Sequence, residues 1–67
     1  MSTAKWTADV EVHKSGSLLL FEPMTDPASD WLEKNTEGTW ISGCLVVEQR
    51  YAQDLAQGLQ DNGFTVE

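Results

Sequence analysis

A single cysteine, Cys44, in a chain of 67 residues leaves no internal disulfide, so the fold must stand on apolar packing or on a partner. A domain this small buries only about 60% of the surface that its unfolded chain exposes. Below roughly 70–80 residues one core seldom supplies more than about 3–5 kcal/mol. Typical domains are longer, so residues 1–67 are read as one domain. Three Trp, two Phe and one Tyr enlarge the packing surface, since each aromatic buries on the order of 150–250 Å². The longest uninterrupted apolar run, Leu18-Leu19-Leu20-Phe21, falls far short of the roughly 18 residues that a membrane span needs. The opening Met-Ser-Thr-Ala-Lys-Trp has no apolar stretch of the secretory kind, and the expectation is a cytoplasmic protein.

Hydropathy patterning supplies the elements. Over residues 5–13, Trp6, Ala8, Val10 and Val12 alternate with Lys5, Thr7, Asp9, Glu11 and His13, the period of a strand with one wet face. Lys14-Ser15-Gly16 reads as the turn, with Gly16 free to take positive φ. Residues 17–22 form a second strand that is apolar on both faces, Leu18 and Leu20 on one and Leu19 and Phe21 on the other. Such a strand is covered on both sides or offers one face to a partner. Pro23 stops it. Thr25 or Asp26 can cap a helix that Pro27 opens, with Ala28, Trp31 and Leu32 as its apolar stripe and an end near Asn35.

Residues 39–47 read as one continuous third strand, with Gly43 and Cys44 as small residues near its middle. A second helix spans about 49–62, with Tyr51, Leu55 and Leu59 at four-residue spacing and Gly63 as its left-handed cap. Within it, Gly58 is either room for a close helix–sheet contact or simply tolerated, and residues 64–66 read as a short final strand. Trp31 is assigned to the core; Trp6 and Trp40, near strand starts, are candidate interface anchors. The fold class is α+β: a small, mostly antiparallel sheet of three to four strands with two helices packed on it, in the order ββαβα plus the short strand.

Eleven Asp and Glu against four Lys and Arg give a formal net charge of -7. At about 100° per residue, Asp26, Asp30 and Glu33 share a narrow sector of the first helix, opposite Ala28, Trp31 and Leu32. Glu37 would extend the row if the helix ran on. Only Lys34 is placed to offset Asp30. Asp54 and Asp61 form a second row on helix 2, and Asp9 and Glu11 a third on the wet face of strand 1. With basic residues scattered at 5, 14, 34 and 50, no cationic patch exists to hold nucleic acid or an anionic membrane.

Catalytic chemistry finds little footing. His13 and Cys44 are the only nucleophile–base pair, but His13 falls at a strand end on the polar phase, and Cys44 suits an apolar strand as a small hydrophobe. No Cys or His pair has zinc spacing, and no calcium loop is present. The carboxylates of Asp26, Asp30 and Glu33 could at most gather a divalent ion weakly. Glycines 16, 38, 43, 58 and 63 are too dispersed for a phosphate or dinucleotide loop. The expectation is a non-enzyme with no catalytic residue, no metal site and no cofactor.

A chain of this size and charge, free of disulfides and built on an aromatic-rich α+β core, resembles the small phage-encoded inhibitors that act as DNA mimics, the anti-CRISPR type in particular. The residues that carry the likeness are Asp26, Asp30, Glu33 and Glu37, with Asp9, Glu11, Asp54 and Asp61 in support. The resemblance implies a stoichiometric, non-catalytic inhibitor in the cytoplasm of a bacterial host. Its partner would be a basic nucleic-acid-binding protein or complex, such as a CRISPR surveillance complex. The alternative is a structural or accessory interaction module, a phage component or the acidic half of a regulatory pair. That module would form a homodimer or larger assembly through the doubly apolar strands.

Overall fold

The computed structural model describes residues 8–67. Residues 5–7, including the candidate anchor Trp6, lie outside them. The first strand, β1 (Val10–Ser15), pairs antiparallel with β2 (Leu18–Pro23). Only Gly16 and Ser17 lie between them, and the positive φ of 63° at Gly16 suits the first position of a tight hairpin turn. The turn thus sits later than the expected 14–16, and β1 runs on to Ser15. Helix α1 (Asp26–Asn35) follows. Its cap is Thr25, whose Oγ1 accepts from the Ala28 N–H at 3.3 Å.

The stretch expected as one third strand is a hairpin, β3 (Thr39–Ile41) and β4 (Cys44–Glu48). Ser42 at φ 53° and Gly43 at φ 81° form a two-residue turn with both central residues left-handed. Ser-Gly fits that turn because glycine carries no Cβ penalty there. Helix α2 (Gln49–Asp61) completes the order ββαββα. It closes as expected at Gly63 (φ 89°). There the Phe64 N–H bonds the Leu59 carbonyl and the Gly63 N–H the Gln60 carbonyl, each at 3.0 Å.

The sheet order is β1-β2-β4-β3, with neighbours antiparallel throughout. The expected final strand is reduced to a bridge from Val66 to Val10, and it runs parallel to β1. Bonds from Val10 N to Thr65 O, from Val12 N to Glu67 O and from Glu67 N to Val10 O fasten this tail to the outer edge of β1.

Both helices lie on one face. Val10, Phe21, Leu45 and Val47 point up from the strands and meet Ala28 and Leu32 of α1 and Ala52 and Leu59 of α2 in one buried cluster. Trp31 and Phe64 pack beside it edge to face, 6.3 Å between ring centroids. Gly58 serves that contact: a Cβ there would stand 3.3 Å from the Trp31 ring, so its close neighbour is α1, not the sheet. Leu19 and Phe21 are therefore covered within the chain, and Leu18 and Leu20 stand on the face without a helix.

Candidate functional site

Each predicted acidic residue has a definite place. Asp26, Asp30 and Glu33 are exposed along α1, on the side opposite buried Ala28 and Leu32. The helix ends at Asn35, where the Thr36 N–H and Oγ1 both bond the Leu32 carbonyl. Glu37 is thus not the next member of a helical row. It sits in the connection to β3 and faces α2. There it lines an open groove of about 560 Å³ together with Leu45 and Val47 of β4 and Tyr51, Asp54 and Leu55 of α2. The groove brings together Glu37 and Asp54, which sequence spacing had assigned to separate rows. Leu45 and Val47 of its lining are buried and Leu55 half-buried; Glu37, Tyr51 and Asp54 are exposed.

Asp61 stays on the polar side of α2 and accepts from Gln57 Nε2 at 3.0 Å. Among the described residues, no Lys or Arg nitrogen lies within 4.0 Å of the carboxylates of Asp26, Asp30, Glu33, Glu37, Asp54 or Asp61. Arg50 is engaged elsewhere. Its Nε donates to Glu48 at 3.3 Å, and its guanidinium lies 4.9 Å from the centre of the Tyr51 ring.

Two residues assigned to the acidic surface have other partners. Asp9 is a clasp: its Oδ2 accepts from the Thr65 N–H at 2.9 Å and the Thr65 hydroxyl at 3.2 Å, and its own N–H donates to Thr65 Oγ1 at 2.9 Å. It fastens the tail to β1. Glu11 belongs to a cluster on the helix-free face, with its Oε1 3.8 Å from His13 Nε2. Glu22, opposite Glu11 in the β1–β2 register, holds the same nitrogen at 2.9 Å. Sequence reasoning missed Glu22. The available signal was Glu-x-His on a wet strand face, with a glutamate on the partner strand.

Cys44 faces outward on this side too, but β2 stands between its strand and the strand of His13. At about 4.8 Å per strand spacing, two spacings separate the thiol's backbone from that of the imidazole. Burial first, and the charge of Glu22 second, push the Cys44 thiol above its ordinary value.

No family model, curated protein or solved structure matches the chain.

Proposed function

We propose that this chain is a non-catalytic acidic binder that docks its α1 face and the adjoining groove into the basic nucleic-acid-binding cleft of a partner protein, as a DNA mimic of the anti-CRISPR type. The supporting observation is the set of six exposed carboxylates with no Lys or Arg within ion-pair distance among the described residues. A solubilising surface usually mixes its signs; here α1 answers Asp26, Asp30 and Glu33 with Lys34 alone. Carboxylates one helical turn apart lie roughly 5–6 Å from each other. Phosphates along one DNA strand recur about every 3.4 Å of rise. A cationic cleft therefore meets a comparable negative field without bases to read. Tyr51 and the apolar lining of the groove add a place for the stem of a partner arginine or lysine, whose head would meet Glu37 and Asp54. Such association is fast and salt-sensitive. The setting that goes with this reading is the cytoplasm of a bacterial host.

The test is affinity capture from bacterial lysate with the parent chain and with an Asp30→Lys/Glu33→Lys variant, at low and at high salt. The reading expects a nucleic-acid-binding protein that salt releases, that the variant fails to hold, and whose DNA binding the parent chain blocks. The circular dichroism of the variant should match the parent, because both positions are exposed. Capture indifferent to salt and to both substitutions would overturn it.

One observation favours the second reading, a self-associating module. The helix-free face exposes Leu18 at 37% and Ile41 at 57%, beside Leu20 and Val46. Its occupant would be a second copy of this chain. Sedimentation of the parent and of a Leu18→Ser/Ile41→Ser variant separates the readings: a dimer lost in the variant supports self-association, and a monomer in both removes it.

A further inference from the structure

The helix-free face carries more than apolar residues. Glu11 and Glu22 are direct cross-strand partners, and like charges so placed repel. His13, two residues along β1, points to the same face and sets its Nε2 2.9 Å from Glu22 and 3.8 Å from Glu11. One ligand atom from each of the three residues falls within 4.8 Å of the others. An ion bonded at about 2.0–2.2 Å to nitrogen and carboxylate oxygen in tetrahedral geometry holds its donors roughly 3.4 Å apart. The two imidazole–carboxylate separations bracket that spacing. The carboxylates of Asp26, Asp30 and Glu33 form no comparable group among the described residues.

We infer that Glu11, His13 and Glu22 form a binding site for a divalent transition ion of the zinc class, with water completing its coordination. An imidazole with two carboxylates suits zinc, manganese and their neighbours, whereas magnesium and calcium take oxygen ligands. The β1–β2 hairpin fixes the backbone of all three ligands, so binding orders only their side chains. His13 Nε2 gives up its bond to Glu22 and offers its lone pair, and the imidazole proton resides on Nδ1. The ion offsets the repulsion between the two glutamates.

His13 is the single histidine of the chain, so its ring signals report on this site alone. Chelator-treated full-length chain is titrated with zinc sulfate and followed by NMR. One equivalent of zinc should move the His13 imidazole resonances to saturation and raise the thermal midpoint; magnesium at the same concentration should do neither. Glu11→Gln and Glu22→Gln should each weaken zinc binding by about tenfold or more. Glu33→Gln and Cys44→Ser should leave it unchanged. Resonances of His13 that ignore zinc, affinity in both glutamine variants equal to that of the parent chain, or binding that vanishes with Cys44→Ser would each overturn the site.

Discussion

On one face of the sheet, Val10, Phe21, Leu45 and Val47 meet the helices and are buried; on the other, Glu11, His13, Glu22 and Cys44 alternate with them and face outward. The same three strands supply both sets, offset by one residue. An antiparallel sheet tolerates this, since its backbone is satisfied within the sheet and one face can stay wet. The difference shows where each part of the chain is constrained. The covered face is a packing problem, closed at its centre around Phe21, Leu32 and Leu59 and open only in grooves along α2. The open face answers only to register, so charge and donor geometry can be arranged on it at little cost to the fold.

Removing a side chain from each face tests that division most severely. Phe21 is 1% exposed, and Phe21→Ala should cost about 3–5 kcal/mol. That equals the whole stability expected of a core this small. Circular dichroism at 25 °C should show a largely unfolded chain. Leu18→Ala on the open face should cost less than about 1 kcal/mol and keep a cooperative melt, because Leu18 already lies partly in water. A large loss from Leu18→Ala would mean that something covers the open face, and the self-associating reading would gain.

The boundary between the faces is the outer edge of β1, and Asp9 guards it. Asp9→Ala removes two bonds accepted by a carboxylate from Thr65. The expected loss is about 1–2 kcal/mol, and each kcal/mol lowers the melting midpoint by roughly 4–8 °C in a domain of this size. Hydrogen exchange should localise the change: the Glu67 amide, which bonds the Val10 carbonyl, should lose protection before the amides of β2 do. A uniform loss across the sheet would show that the tail is integral to the core.

Periodicity made the covered face legible. The alternation through Val10 and Val12, the helical stripe of Ala28, Trp31 and Leu32, the proline entrance and the Gly63 cap all express local chemistry, and each matches the structure. Register was harder to read. With the turn at 14–16, Glu11 falls opposite Leu19; with Gly16 and Ser17 as the turn, it falls opposite Glu22. The later turn shifts the pairing by three residues, and that shift hid the cluster on the open face. The Ser42-Gly43 turn was obscured because apolar residues continue on both sides of it, a pattern that a long strand shares. Asp9 looked like surface charge because its partner Thr65 lies 56 positions away. The groove joining Glu37 to Asp54 depends on how the 36–38 connection leaves α1, which no spacing rule specifies.

The smallest effect concerns the chemistry of the open face. Burial and, after it, the negative charge of Glu22 hold the Cys44 thiol above its ordinary value. Less thiolate is then present at mildly alkaline pH, and thiolate is the nucleophile. Alkylation of the folded chain by iodoacetamide at about pH 8.5, near the ordinary thiol value, should be slower than that of the urea-unfolded chain. Glu22→Gln removes the second cause alone, so it should recover part of the rate, while Glu33→Gln on α1 should recover none. The sign carries into stability. A thiol whose folded pKa lies above its unfolded value stabilises fully below the unfolded value, and that contribution is lost as pH rises through the folded one. The melting midpoint should therefore fall slightly on the alkaline side, and less so in Cys44→Ser. Equal alkylation rates in the parent and Glu22→Gln would mean that the glutamate's field does not reach β4. The influence of Glu22 would then be confined to the β1–β2 hairpin.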